Sequence, residues 1–287
     1  MASKTKVKLY MFPGSNSVLT GRLMLDHKGV DYKLVKLPPG IHAFVMLALG
    51  FETMGVPAMK WNRRRVQGTR SMSRALDELV PQRPLFPSDP AERQAVEEAE
   101  RWGEELQNQT RRIFYCAARR DRKAFLSVIL QERAFPMRVF LRVGARPIIR
   151  LAAGAHRASD DAVREDVALL PERLDQIDAW IGEGLINGPE LNAADFQIAV
   201  NVAALLTSED FAPLIEARPA AALARRVVGD YGGHVGRVLP GEWLPRRPGS
   251  APASANGTRD ANTAYDSRTF LRRAGIGEAK IDELLSR

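Results

Sequence analysis

Gly55-Val-Pro-Ala-Met-Lys-Trp61 is the stretch that decides how this chain is read. Proline is the one residue before which a cis peptide costs little, about 0.5–1 kcal/mol. Val56-Pro57 at the start of a strand therefore predicts a sharp cis bend. That bend is expected to leave the Val56 amide and carbonyl open to an extended ligand, as an added strand would be. Working outward, Val7-Lys-Leu-Tyr-Met11 and Tyr32–Lys36 are β-rich runs on either side of an apolar helical run from Ser15 to Lys28. Two parallel strands joined by a helix form a right-handed crossover. Pro38-Pro-Gly40 breaks the second strand, and 41–50 reads as a short helix or loop. Val56–Lys60 and Val66-Gln67 then pair around Trp61-Asn62-Arg63, and Thr69–Leu79 closes the unit as a helix.

From Ala91 onward the pattern is wholly helical. Val96, Ala99, Trp102, Gly103 and Leu106 recur at three-to-four spacing, the mark of an amphipathic face. Leu169, Leu174, Ile177 and Trp180-Ile181 repeat it before Gly182 and Gly184 stop the helix. Asn192 and Asp195 stand where a capping box opens the apolar run Phe196–Leu206, so Asp195 is read as a cap and not an acid catalyst. The expected domains are 5–80 (α/β), 90–240 (all-helical), a flexible linker over 244–264 and a short helical pair over 267–287. The linker expectation rests on its Pro, Gly, Ser, Ala and Asn content.

The chain has 287 residues, 45% of them hydrophobic, enough for two buried cores. One cysteine, Cys116, excludes an internal disulfide framework and reads as a buried apolar residue. Met-Ala-Ser-Lys-Thr-Lys runs straight into the first strand without an apolar signal segment, and no run of 18 apolar residues occurs; the expectation is a cytoplasmic protein. Histidines at 27, 42, 156 and 234 lack metal-ligand spacing, so no metal is expected. No phosphate-binding or dinucleotide fingerprint is present.

The order of a strand, a helix opening with a hydroxyl, and a strand beginning Val-Pro is thioredoxin-like. Together with Pro84-Leu-Phe-Pro-Ser-Asp-Pro90 and Asn187-Gly-Pro-Glu-Leu-Asn-Ala-Ala-Asp195, it resembles the cytosolic glutathione S-transferase family. The former segment is similar to that family's interdomain linker and the latter to its capping-box segment. The resemblance implies a thioredoxin-like N-terminal domain, an all-α helical-bundle C-terminal domain, and glutathione or a related thiol as co-substrate. It also implies a small electrophile as second partner, and it is compatible with a homodimer.

A thiol reacts as its thiolate, and a free thiol with a pKa of about 8.5 is mostly protonated at neutral pH. A site using one must stabilise S⁻ with a donor and the positive end of a helix. By resemblance Ser15 occupies the position of the catalytic serine or cysteine, Ser17 is the runner-up, and Tyr10 matches the tyrosine of other classes less well. A purely structural reading of Ser15, as the cap of its helix, stays open. The resemblance implies that Val56 pairs its backbone with the cysteinyl unit beside Pro57. It also implies that Thr69, at the next helix start, receives the γ-glutamyl carboxylate. Gly68 stands where family members often carry an acid, which removes a partner for the ligand ammonium and leaves open a binding or scaffold protein that keeps the fold without the chemistry.

Charge is uneven. Residues 111–150 hold eleven arginines and lysines against two acids, more than the +8 of the whole chain. Arg138, Arg142, Arg146 and Arg150 recur every four residues. Such a stripe suits an anionic second substrate at Arg138 and Arg142, a peripheral membrane contact, or plain solvation. Nucleic acid is not expected, because stacked aromatics and a recognition motif are missing.

Overall fold

The computed structural model describes residues 6–38, 41–122 and 146–245, together with Glu278 and Asp282. Arg138, Arg142, nearly all of the expected linker and most of the terminal helical pair lie outside the described residues.

The N-terminal half is built as the alternation in sequence requires. In β1 (Val7–Met11), Val7, Leu9 and Met11 face the main core, while Tyr10 packs on the opposite face with Phe51 and Met46. Helix α1 (Asn16–His27) crosses to β2 (Lys33–Lys36), which pairs parallel to β1. Helix α2 (Ile41–Ala48) resolves the helix-or-loop alternative for 41–50 as a helix. Strands β3 (Ala58–Trp61) and β4 (Arg64–Gln67) complete an antiparallel hairpin, and α3 (Thr69–Leu79) follows. The sheet order is β2-β1-β3-β4. This is a thioredoxin-like sheet.

The hairpin is tighter than expected. Trp61 pairs with Arg64, so the turn is Asn62-Arg63 alone. Asn62 adopts φ 54°, a left-handed conformation that asparagine tolerates, and its side chain accepts from the Lys6 amide at 3.1 Å. Strand β3 also begins two residues later than expected, leaving Val56-Pro57 outside the ladder as the bend itself.

The second half is helical. Asp89 caps α4 (Pro90–Arg120), its carboxylate accepting from the Ala91 and Glu92 amides, with proline at the first helical position. Residues 146–155 are helical. The run expected from Leu169 is one helix, α6 (Leu170–Gly182), and a separate helix, α5 (Asp160–Ala168), precedes it. Helix α7 (Ala193–Leu206) is the centre of this half, with every residue from Ala193 to Leu205 buried. Its capping box is complete. The Asn192 side chain accepts from the Ala194 and Asp195 amides, and Asp195 accepts from Asn192 N at 2.8 Å and Asn187 N at 2.6 Å. Asp195 is thus a cap, although burial pushes its carboxyl upward against those bonds. Helices α8 (Ala212–Ile215) and α9 (Pro219–Val228) and a 3-10 turn (Gly241–Trp243) follow.

One apolar core spans both halves, running from Leu9, Met24 and Leu76 through Val96 and Leu106 to Phe196 and Leu223. Helices α4 and α7 approach so closely at Gly103 that a Cβ there would lie 2.9 Å from Gln197 Cγ. Beside this core, Lys28 is fully buried and donates to Asp77 at 2.6 Å and to the Val80 and Gln82 carbonyls. It ties the end of α1 to the segment leading into the helical half.

Candidate thiol site

Three segments converge on Val56-Pro57, whose peptide bond is cis. The first is the loop between β1 and α1. Ser15 is the N-cap of α1 with an extended backbone (φ −86°, ψ 114°), and its carbonyl accepts from Leu19 N at 3.1 Å. Its hydroxyl caps no amide. The hydroxyl instead lies 3.0 Å from Ser17 Oγ, and Ser17 Oγ donates to the Val56 carbonyl at 3.0 Å. Here the structure corrects the sequence reading, in which both the amide and the carbonyl of Val56 are open. The carbonyl is already engaged by Ser17, which the first turn of α1 places beside the bend.

The second segment is the start of α3. The Gly68 amide donates to the Pro57 carbonyl at 2.9 Å, and Gly68, at φ 87°, is the residue that caps α3. Thr69 is the first helical residue, not the cap, and is 2% exposed. No acid lies in the first turn of α3, while Arg70 does. Arg70 leans toward Glu100 and Glu104 at 3.9 and 3.7 Å. Glu100 is buried between α3 and α4, accepting from Ser73 at 2.6 Å and from Arg74. Burial still pushes its carboxyl upward against those donors.

The third segment carries no advance signal in the sequence. The Gln67 side-chain amide donates to the carbonyls of Thr53 and Gly55, both at 2.7 Å, and its oxygen accepts from the Thr53 amide at 2.9 Å. Gln67 therefore clamps the loop that delivers Val56. A glutamine in a strand carries no pattern that announces such a role.

Asn16, equally silent in the sequence, reaches the other way. Its amide nitrogen donates to Asn201 Oδ1 on α7 at 3.3 Å, and its oxygen accepts from the Tyr231 hydroxyl. Tyr231 sits in a loop with left-handed glycines at 229, 232 and 233, and desolvation pushes its partly buried phenol upward. Those clustered glycines were the available signal for a loop that doubles back onto the core.

The remaining candidates fall elsewhere. Tyr10 is a core residue, edge-on to Phe51 at 5.6 Å, and is not in this cluster. Cys116 is buried in the apolar core as expected, and Arg120 Nη1 donates to its sulfur at 2.7 Å beside Asp160. Desolvation nevertheless raises its thiol. Of the basic stretch, Arg112, Arg119 and Arg120 pair with Asp166 and Asp160. Part of the charge excess is therefore neutralised by α5. Among the described residues, no group of histidines, cysteines and acids is placed to hold a metal, and no helix is long and apolar enough to cross a membrane.

Residues 9–84 match the family model described as glutathione S-transferase, N-terminal domain. Solved structures with the same fold include the β-etherase LigF from Sphingobium sp. strain SYK-6, 17% identical at a TM-score of 0.57 over 77% of this chain and 94% of that one. Glutathione transferase F2 from Populus trichocarpa is 19% identical at 0.52, over 78% and 93%. A glutathione S-transferase from Methylobacterium radiotolerans, in complex with glutathione sulfonate, is 16% identical at 0.51, over 82% and 99%. No curated protein sequence matches the chain. The chain thus carries a glutathione S-transferase N-terminal domain, and its described residues have the glutathione S-transferase fold.

Proposed function

We propose that this protein binds glutathione or a related low-molecular-weight thiol and transfers it, as the thiolate, to a small electrophile. The observation that carries the reading is the hydroxyl pair Ser15–Ser17 at the N-terminus of α1, hydrogen-bonded onto the carbonyl beside the Val56-Pro57 bend. The Ser15 hydroxyl caps no amide of its helix and can turn from Ser17 to a thiolate, whose charge the helix N-terminus also favours. The start of α3, with Gly68, Thr69 and Arg70 and no acid, suits the ligand's carboxylate. In the transfer the sulfur lone pair forms the new C–S bond, the leaving group departs with its electron pair, and the thiol proton goes to solvent. Reduction of a substrate would instead need a second thiol to close a disulfide.

Gly68, in place of an acid, favours the alternative of a binding or scaffold protein that has kept the fold alone. Immobilised glutathione separates these readings from a protein without a thiol site. Retention, with elution by free glutathione, supports a thiol site, and conjugation of glutathione to an activated aryl halide then separates enzyme from scaffold. Failure to bind refutes glutathione as the thiol.

A further inference from the structure

The hydroxyl protons at the bend follow from the donors and acceptors around them. A carbonyl oxygen only accepts, so the 3.0 Å bond between Ser17 Oγ and Val56 O uses the single Ser17 proton. The 3.0 Å bond between the two serine oxygens must then use the Ser15 proton. In this arrangement Ser15 points its hydrogen at Ser17 and none at the place a thiolate would occupy. Ser17, 5% exposed, is not itself displaced toward solvent.

We infer that Ser17 is a positioning residue that couples docking of a peptide-type thiol to activation of its sulfur. This rests on the thiol-transfer reading above. An amide N–H one carbon away from the thiol-bearing carbon, arriving at the Val56 carbonyl, adds a second donor to that oxygen and weakens its bond from Ser17. Ser17 then turns its hydrogen onto Ser15 Oγ. Ser15, now accepting from Ser17, turns its own hydrogen to the sulfur. Chained hydroxyls polarise one another, so the Ser15 proton becomes a stronger donor in this arrangement. No covalent bond changes; two hydroxyl hydrogens rotate. The substrate class follows: a thiol carried on a residue with a backbone N–H meets a Ser15 donor reinforced by Ser17, whereas a thiol lacking that N–H leaves Ser17 on the carbonyl and meets Ser15 without that reinforcement.

The test compares glutathione with its depsipeptide analogue, in which an ester oxygen replaces the cysteinyl N–H. The thiol pKa in the complex is read from the pH dependence of kcat, which reports groups in the bound state. In the wild-type protein the amide ligand should show a thiol pKa about one unit below that of the ester, a tenfold difference in thiolate. In Ser17→Ala the two ligands should titrate together, and Ser17→Thr, which keeps the hydroxyl, should restore the gap. A role of Ser17 in packing alone would move both ligands equally and leave the gap intact. An equal gap in wild type and Ser17→Ala, or no gap in the wild type, overturns the inference while thiol transfer stands. A wild-type protein that binds neither ligand overturns the inference and removes glutathione as the thiol of the functional reading.

Discussion

Replacing Ser15 by alanine separates a thiol-facing hydroxyl from a helix cap. A serine whose side chain caps a helix amide typically costs about 1 kcal/mol when removed. Here the Ser15 hydroxyl bonds no amide, and the substitution removes the part-buried hydrogen bond to Ser17 at 3.0 Å. A net hydrogen bond at the weak end of the usual range is worth about 0.5 kcal/mol. For a folded unit of this size that is a fall of about 1–2 °C in Tm. The chemical effect should be far larger. Removing one preorganised donor from a developing or resident anion costs on the order of a hundredfold in turnover, about 2.7 kcal/mol. The assay pairs thermal unfolding with the rate of glutathione conjugation under saturating thiol. Ser15→Ala is expected to fold almost as well as the wild type and to turn over about a hundredfold more slowly. A variant whose Tm falls well beyond that small shift while it conjugates at the wild-type rate would refute the argument, because it would show that capping was the hydroxyl's job.

Gly103→Ala should destabilise the protein by about 1–3 kcal/mol, since its Cβ would meet Gln197 Cγ at 2.9 Å and Ile198 Cγ1 at 3.0 Å inside a packed helix pair. Urea unfolding measures it, and a neutral or stabilising result would mean that α4 and α7 stand further apart. Lys28→Ala should cost about 3–5 kcal/mol by the same method, because it strands the Asp77 carboxylate and two carbonyls around an emptied buried site. A loss below about 1 kcal/mol, the usual worth of an exposed ion pair, would show that Lys28 is solvated. His42 is buried against Phe12, and desolvation lowers its pKa from 6.5 to about 4. The unfolded chain therefore takes up a proton between those values that the folded one refuses. The His42 contribution is fully present above pH 6.5 and is lost as pH falls toward 4, up to about 3 kcal/mol. Unfolding curves at neutral pH and at a pH just above 4 should show a smaller acid loss in His42→Phe than in the wild type; equal losses would remove His42 as a source of acid sensitivity.

Much of the N-terminal half was legible because its signals are local. Alternation in Val7–Met11, the helical run into α1 and the proline at 57 each constrain their own backbone, and α3 spans Thr69–Leu79 as the pattern requires. The capping box at Asn192 and Asp195 was equally readable, since both partners lie within four residues. What escaped depends on pairs distant in sequence. Ser17 meets Val56 across 39 residues, and Asn16 meets Asn201 across 185. Nothing about an isolated serine or asparagine tells which backbone it will find.

The grip of Asn201 and Tyr231 on Asn16 bears on how far the two halves are interchangeable. Asn16 lies between the two serines, so the register of the hydroxyl pair is set in part by residues that begin 185 positions downstream. A hybrid joining this α/β half to the helical half of a distant relative would inherit the serines and the Val-Pro bend but not the hold on the residue between them. Its first helix would start with a different twist, and the chain from Ser15 through Ser17 to the Val56 carbonyl would be broken. Transplanting the serine pair from this chain therefore means moving a triplet, Asn16 with Asn201 and Tyr231, along with the segment that carries the serines.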